Sequence, residues 1–206
     1  MAGRREKKKK IAREKILKAA LDIFEHKGFE KASISEIAEQ ADLGVGTVYN
    51  YFKSKDEIFI ETFTSQMDVE TSYDFDMSVL VEKGVADIVN EYMEKFIKPF
   101  RYIPKGLMKE LFRITVGSKS NTSMIRSLAE LDFKFIDRIQ EILESIKNEG
   151  ILSSEFDPRI AAEMVYSAFA YELLMYLYME EYEFDQAMSQ AKVKIQFLFE
   201  NKAQKK

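Results

Sequence analysis

The side chains on which most nucleophilic, redox and transition-metal chemistry rests are nearly missing: the chain has one histidine, His26, and no cysteine. That excludes disulfides, thiolate metal sites and cysteine nucleophiles, together with most triads and most transition-metal centres. His26 closes a helical stretch, where a cation suits the helix dipole. Gly44-Val45-Gly46 begins like a dinucleotide fingerprint, but it follows a helix instead of a strand and lacks the third glycine. Asn121-Thr122-Ser123 has the form of a glycosylation acceptor, which is irrelevant in the cytoplasmic protein expected below. No enzyme is expected, and no catalytic residue, metal ligand or cofactor. What remains is binding chemistry, and it is concentrated near the amino terminus.

Charge distribution supports that emphasis. The net charge of −4 over 206 residues hides two opposite regions. Residues 1–55 carry 13 Lys+Arg against 8 Asp+Glu, whereas residues 56–206 carry 18 against 27. A basic end on an acidic body suits a protein whose one end meets a polyanion. Taken alone, the lysine run reads equally well as a solvated tail. Met1–Lys15 is basic but leads into no apolar segment, so no signal peptide is expected. The most apolar run, Met164–Met179, is short and interrupted by Glu172, so no membrane span is expected. The expected location is cytoplasmic.

Hydrophobic residues recur at helical spacing, which predicts an all-α chain of about nine helices. The first helix is expected from about Lys8 to His26, with Ile11, Ile16, Ala19, Ala20, Ile23 and Phe24 on one stripe and Gly28 ending it. Ser33-Ile34-Ser35-Glu36 has the capping-box form and opens a second, short helix. A third runs from about Val45 to Tyr51, with Val48 and Phe52 inward. Ser54-Lys55-Asp56-Glu57 starts a fourth, through Ile58, Phe59, Phe63 and Met67. Further helices are expected over 82–98, 105–116, 122–149, 158–181 and 184–200, with Pro158 in a first helical turn. The stretch Asp68–Asp76 is either a loop or a break in the fourth helix.

Residues 33–52 thus form two short helices joined by a tight turn behind a longer packing helix, which is helix-turn-helix geometry. The third helix turns Val45, Gly46, Thr47, Tyr49 and Asn50 outward. So short a helix with so polar a face gains little by burial, but it fits a major groove. On periodicity alone a hairpin packed on a neighbour remains open.

The segments Phe29–Ala41 and Gly46–Ile58, above all Gly46-Thr47-Val48-Tyr49-Asn50-Tyr51-Phe52-Lys53-Ser54-Lys55-Asp56, resemble the DNA-binding domain of the TetR family of repressors. The resemblance covers about residues 10–62. It implies a basic arm and helix-turn-helix domain over 1–54, then a larger helical ligand-binding and dimerisation domain over 55–206. Ser33, Thr47, Tyr49, Tyr51 and Lys55 would hold phosphates; Ser35, Val45, Gly46, Tyr49 and Asn50 would meet base edges. Arg4, Arg5, Lys7, Lys8, Lys9 and Lys10 would reach the adjacent minor groove. Two positions depart from the commoner pattern. Asp42 stands for the turn glycine, and aspartate tolerates the left-handed conformation it needs. Gly44 stands for the capping serine and forgoes its side-chain bond.

One recognition helix contacts few base pairs, so two copies on a palindromic operator are expected. The helices at about 158–181 and 184–200 are apolar nearly all round, and they are the expected homodimer surface, with burial in a monomer core as the other reading. The resemblance also implies a small hydrophobic or aromatic effector. Its pocket candidates are Phe63, Met67, Tyr92, Phe96, Met108, Phe112, Phe133, Tyr166, Phe169 and Glu172. For Glu172, pairing across the dimer, facing solvent and favouring a cationic ligand all stand open. Effector binding would release DNA by a population shift. The alternative is an architectural or protein-recruiting DNA-binding factor without an inducer.

Overall fold

The computed structural model describes residues 2–64, 83–117 and 122–200; Met67, the stretch Asp68–Asp76 and Asn121 lie outside them, and Arg4 and Arg5 are described by backbone alone. Every regular element described is helical, as the spacing of apolar residues predicts. In chain order these are α1 (Ala2–Lys31), α2 (Ile34–Gln40), α3 (Val45–Tyr49), α4 (Lys55–Thr64), α5 (Val85–Ile97), a 3-10 turn (Lys98–Tyr102), α6 (Lys105–Gly117), α7 (Thr122–Asn148), α8 (Pro158–Tyr178) and α9 (Phe184–Phe199).

The chain divides into two compact units, one of Met1–Asp68 with Ile103–Ser127 and one of Val69–Tyr102 with Leu128–Lys206. In the first, α1 packs on α2, α4 and α6, and α2 packs on α3. Its core holds Ile16, Ala20, Phe24, Ile37, Val48, Phe52, Ile58 and Phe59, all buried. Phe59 meets Phe24, Phe29 and Phe63 edge-on, with ring centroids 4.9, 4.8 and 4.8 Å away.

Local signals explain the boundaries. Gly28 lies at φ 75, ψ 165, so the helical path breaks there and a short turn carries the chain on to Lys31. Only glycine adopts that pair of angles easily. Ser33 caps α2, and Glu36 returns a bond to the Ser33 N–H at 3.0 Å. After α2, the Leu43 N–H reaches the Ala38 carbonyl at 2.9 Å and the Asp42 N–H reaches that of Glu39 at 3.1 Å. This is a Schellman-type stop in which Asp42, at φ 56, does what glycine usually does. α1 begins at Ala2, earlier than the apolar stripe suggests, because residues 4–10 are all Arg, Glu and Lys, which sustain a helix without burial.

In the second unit α9 packs on α8 and α5. Phe135, Ile139, Leu143 and Ile146 of α7, Ala162 and Val165 of α8, and Ala187, Ala191 and Ile195 of α9 are buried. Asp157 caps α8 through a 3.0 Å bond from the Ile160 N–H, and Pro158 follows. At 21 residues and a mean hydropathy of 1.2, α8 is long and apolar enough to cross a membrane, which the shorter run Met164–Met179 was not. Its buried face lies against α9 and contains the carboxylate of Glu172, an arrangement suited to a protein core.

Candidate nucleic-acid interface

α3 is too short to stand on its own hydrogen bonds. Val48 on its inner face and Phe52 just beyond it are buried, and they hold it to the first unit. The other face is open. Val45, Gly46, Tyr49 (53% exposed) and Asn50 are exposed and Thr47 is half-buried, on the side the sequence assigns to DNA. A Cβ added at Gly46 would meet nothing within 4 Å, so no packing among the described residues accounts for glycine there. Gly44 is the N-cap of α3 and makes no side-chain bond, as its type dictates.

On α2, Ser33 and Ser35 are exposed. The Ser33 hydroxyl donates to Glu36 Oε2 at 2.9 Å and accepts from the Glu36 N–H at 3.3 Å, so it already serves the cap. Lys27 and then Ser33 hold the Glu36 carboxyl below the usual carboxylate range. Lys7, Lys8, Lys9 and Lys10 are exposed along the first turns of α1. The backbone from Ala2 onward is helical, so these lysines ring a helix and do not extend as a strand-like arm.

Lys55 has partners within the chain that its place in the sequence does not announce. Its Nζ donates to the carbonyls of Phe29 (2.7 Å), Ala32 (3.0 Å) and Glu30 (3.3 Å), and it sits 4.3 Å from the centroid of the Phe29 ring. Arg13 was not anticipated at all. It forks onto both carboxylate oxygens of Glu61, donates to the Tyr51 carbonyl at 3.4 Å, and lies 4.6 Å from the centroid of the Phe52 ring. It thereby ties α1, α4 and the segment just past α3 to one another. A signal existed: Arg13 stands i, i+3 and i+7 from Ile16 and Ala20, on the apolar stripe itself.

The effector candidates fall into separate groups. In the first unit, Phe63 and Met108 are buried and Phe112 is exposed. In the second, Tyr92, Phe96, Tyr166 and Phe169 gather around Phe135, at centroid distances of 5.7, 4.4, 6.2 and 6.1 Å. Phe135, not Phe133, holds the centre, and Phe133 is 56% exposed. The period of Phe135, Ile139, Ile142 and Ile146 marks the inward face and puts Phe133 off it. The Tyr166 hydroxyl bonds the Asp132 carboxyl, whose ionisation burial disfavours. Burial likewise pushes the Tyr92 hydroxyl up to about 12.

Glu172 is 4% exposed, and its charge is met within the chain. Lys194 of α9 pairs with Oε1, and the Tyr182 hydroxyl donates to Oε2 at 2.6 Å. No cation from outside is needed to balance it. Beside this pair, α8 turns Ile160, Met164, Tyr171 and Tyr178 outward, and α9 adds Val193 and Phe197, the last 77% exposed. A groove of about 520 Å³ lies between them, lined by Met164, Ala168, Lys194 and Phe197 among others.

Comparison with known proteins agrees with this geometry. Residues 16–62 match the model for bacterial regulatory proteins of the tetR family. The HTH-type transcriptional regulator YdgC of Bacillus subtilis is 30% identical over 159 residues, which cover 74% of this chain and 74% of the relative. The fatty acid metabolism regulator protein of the same organism is 26% identical over 161 residues, 73% of this chain and 76% of its own length. Among solved structures, Thermus thermophilus FadR, a TetR-family repressor in complex with lauroyl-CoA, aligns with a TM-score of 0.59 at 19% identity over 94% of this chain and 96% of that one. At that identity the likeness establishes the fold. From the matched helix-turn-helix segment and a relative aligned along three quarters of its length (74%), this chain belongs to the TetR family of transcriptional regulators.

Proposed function

We propose that the protein is a repressor that binds a palindromic operator as a homodimer and is released by a small apolar or aromatic effector. The observation that carries this reading is the open face of α3: Val45, Gly46, Tyr49 and Asn50 project outward from a helix anchored by Val48 and Phe52. Thr47, Tyr49 and Tyr51 set register on phosphates, while Ser35, Val45, Gly46 and Asn50 meet base edges. The exposed Lys7–Lys10 add sequence-independent attraction along the duplex. A protein with this task works beside chromosomal DNA, in the cytoplasm.

The outward apolar faces of α8 and α9 support a dimer built on those two helices, with each copy covering the Phe197 of the other. Such a pair brings two heads to successive major grooves, about 34 Å apart. The aromatic group around Phe135, edged by the Asp132–Tyr166 bond, favours a flat or flexible apolar effector with one polar end. The acyl-CoA bound by the Thermus thermophilus protein is a ligand of that kind.

Selection of duplexes from a random pool tests the reading. The expected product is a palindrome, bound in a salt-sensitive way, with Tyr49→Ala reducing affinity about tenfold. Failure to enrich any sequence, or a Tyr49→Ala variant that binds like the wild type, would sink it. Enrichment without release by any apolar compound that raises the unfolding temperature would point instead to an architectural factor.

A further inference from the structure

The ammonium of Lys55 has three protons, and three carbonyls lie within hydrogen-bond distance of it: Phe29 at 2.7 Å, Ala32 at 3.0 Å and Glu30 at 3.3 Å. All belong to the short passage between the Gly28 break in α1 and Ser33, the cap of α2. The Phe29 carbonyl also accepts from the Ala32 N–H at 3.3 Å, and a cation beside the last turn of α1 matches the helix dipole. The Phe29 ring adds a cation–π contact on the same ammonium, 4.3 Å from its centroid.

We infer that Lys55 is a positioning residue for DNA recognition: from the first turn of α4 it fixes the α1–α2 junction, and through that junction the attitude of α2 and α3. The chain from Ala32 to Phe52 contains both short helices, and Lys55 anchors its beginning. Arg13, on the Tyr51 carbonyl, anchors its end. A phosphate taken up by Lys55 would have to replace bonds to carbonyls that are partly shielded from water. That exchange gains little, whereas the junction carbonyls lose the ammonium that bonds all three of them.

The inference rests on the DNA-binding reading above, and salt dependence separates it from a direct phosphate contact. Each phosphate contact contributes about 0.9 to the slope of log affinity against log salt. Full-length Lys55→Met and Lys55→Arg variants are titrated with a duplex enriched by the wild type and with a mixed-sequence duplex, at temperatures where circular dichroism reports a folded chain. For Lys55→Met the expected result is an unchanged slope, about tenfold weaker binding to the enriched duplex and less than about twofold weaker binding to the mixed one. Lys55→Arg keeps the charge but sends a wide planar fork where three carbonyls converge, so it also loses affinity, about threefold or more.

A slope lowered by about 0.9 in Lys55→Met overturns the inference in favour of a phosphate contact. Equal losses on both duplexes overturn it in favour of a purely structural role. If Lys55→Met does not fold, Lys55→Arg decides: wild-type affinity there overturns the inference, and selective loss upholds it. A wild-type chain that binds no duplex removes the DNA-binding reading and this inference together.

Discussion

α3 and α8 each leave one face uncovered by their own unit, and they do so in opposite ways. α3 has five residues; it turns a glycine, a tyrosine and one small aliphatic side chain, Val45, outward, and its C-cap Asn50 is exposed beside them. α8 has 21 residues and exposes Ile160, Met164, Tyr171 and Tyr178 in a line. The short helix is held in place by other elements, through Val48, Phe52 and the Arg13 clasp on the Tyr51 carbonyl. The long one has ample bonds of its own and burial on its other face. A polar face on a helix that cannot support itself fits a hydrated polyanion; an apolar face on a robust helix fits another protein surface.

The comparison breaks most readily at Phe197, whose ring stands in water beside the outward line of α8. In the dimer proposed above, Phe197→Asp should leave the unit folded and return a particle of 24.0 kDa by sedimentation, because a carboxylate cannot be buried against its own symmetry mate. Binding to a palindromic duplex should fall on the order of 100-fold, since two linked heads become two independent ones. A variant that stays dimeric would place the contact elsewhere.

Next in size is the pair under that face. Lys194→Met leaves the Glu172 carboxylate buried with only Tyr182 to serve it, which should cost about 2 kcal/mol of unfolding free energy. Glu172→Gln should cost about 1 kcal/mol, because Lys194 is exposed enough to find water. Urea unfolding of both variants tests the order. A larger loss from Glu172→Gln would mean that the lysine, not the carboxylate, is the group that cannot be left alone.

The sequence discloses α3 more fully than it discloses the surroundings of α3. Capping at Ser33, the inward pair Val48 and Phe52, and the left-handed turn at Asp42 are local, each fixed by residues within four positions, so spacing reveals them. Lys55 and Arg13 act on partners 23 to 48 residues away, and no local pattern announces where a long cation will end. The second unit repeats the lesson. Helix periods from Phe135 to Ile146 mark the inward face, yet a list of large side chains without that phase admits Phe133 and Phe112, both exposed. Glu172 was recognisable as anomalous from its apolar neighbours; its partners Tyr182 and Lys194 required the fold.

Gly46 gives a smaller effect of two signs. A helical glycine costs about 1 kcal/mol relative to alanine, and a methyl there would meet nothing within 4 Å. Gly46→Ala should therefore raise stability by about 0.5–1 kcal/mol. If the α3 backbone approaches a groove closely, the same methyl should weaken binding to the enriched duplex about fivefold. Gain of stability with full DNA affinity would show that the groove contact runs through Tyr49 and Asn50 and not across the backbone.

The smallest effect is expected at Arg113, which separates structural cations from decorative ones inside the first unit. Arg113 of α6 donates to Glu110 at 2.5 and 3.0 Å and approaches Glu30 at 3.5 Å, next to the carbonyls that Lys55 holds. Glu110 chiefly, and then Glu30 and Asp56, hold its guanidinium firmly protonated. Yet Arg113 is 60% exposed and Glu30 78%, so water and salt screen the attraction. α6 is held to its unit by Leu107, Met108, Leu111 and Ile114, all buried. Arg113→Ala should thus move the unfolding midpoint by less than about 2 °C and leave DNA affinity unchanged, whereas Leu111→Ala should cost about 2–3 kcal/mol. A pronounced loss of DNA affinity in Arg113→Ala would mean that charge on α6 reaches the α1–α2 junction after all, and that Lys55 does not fix that junction alone.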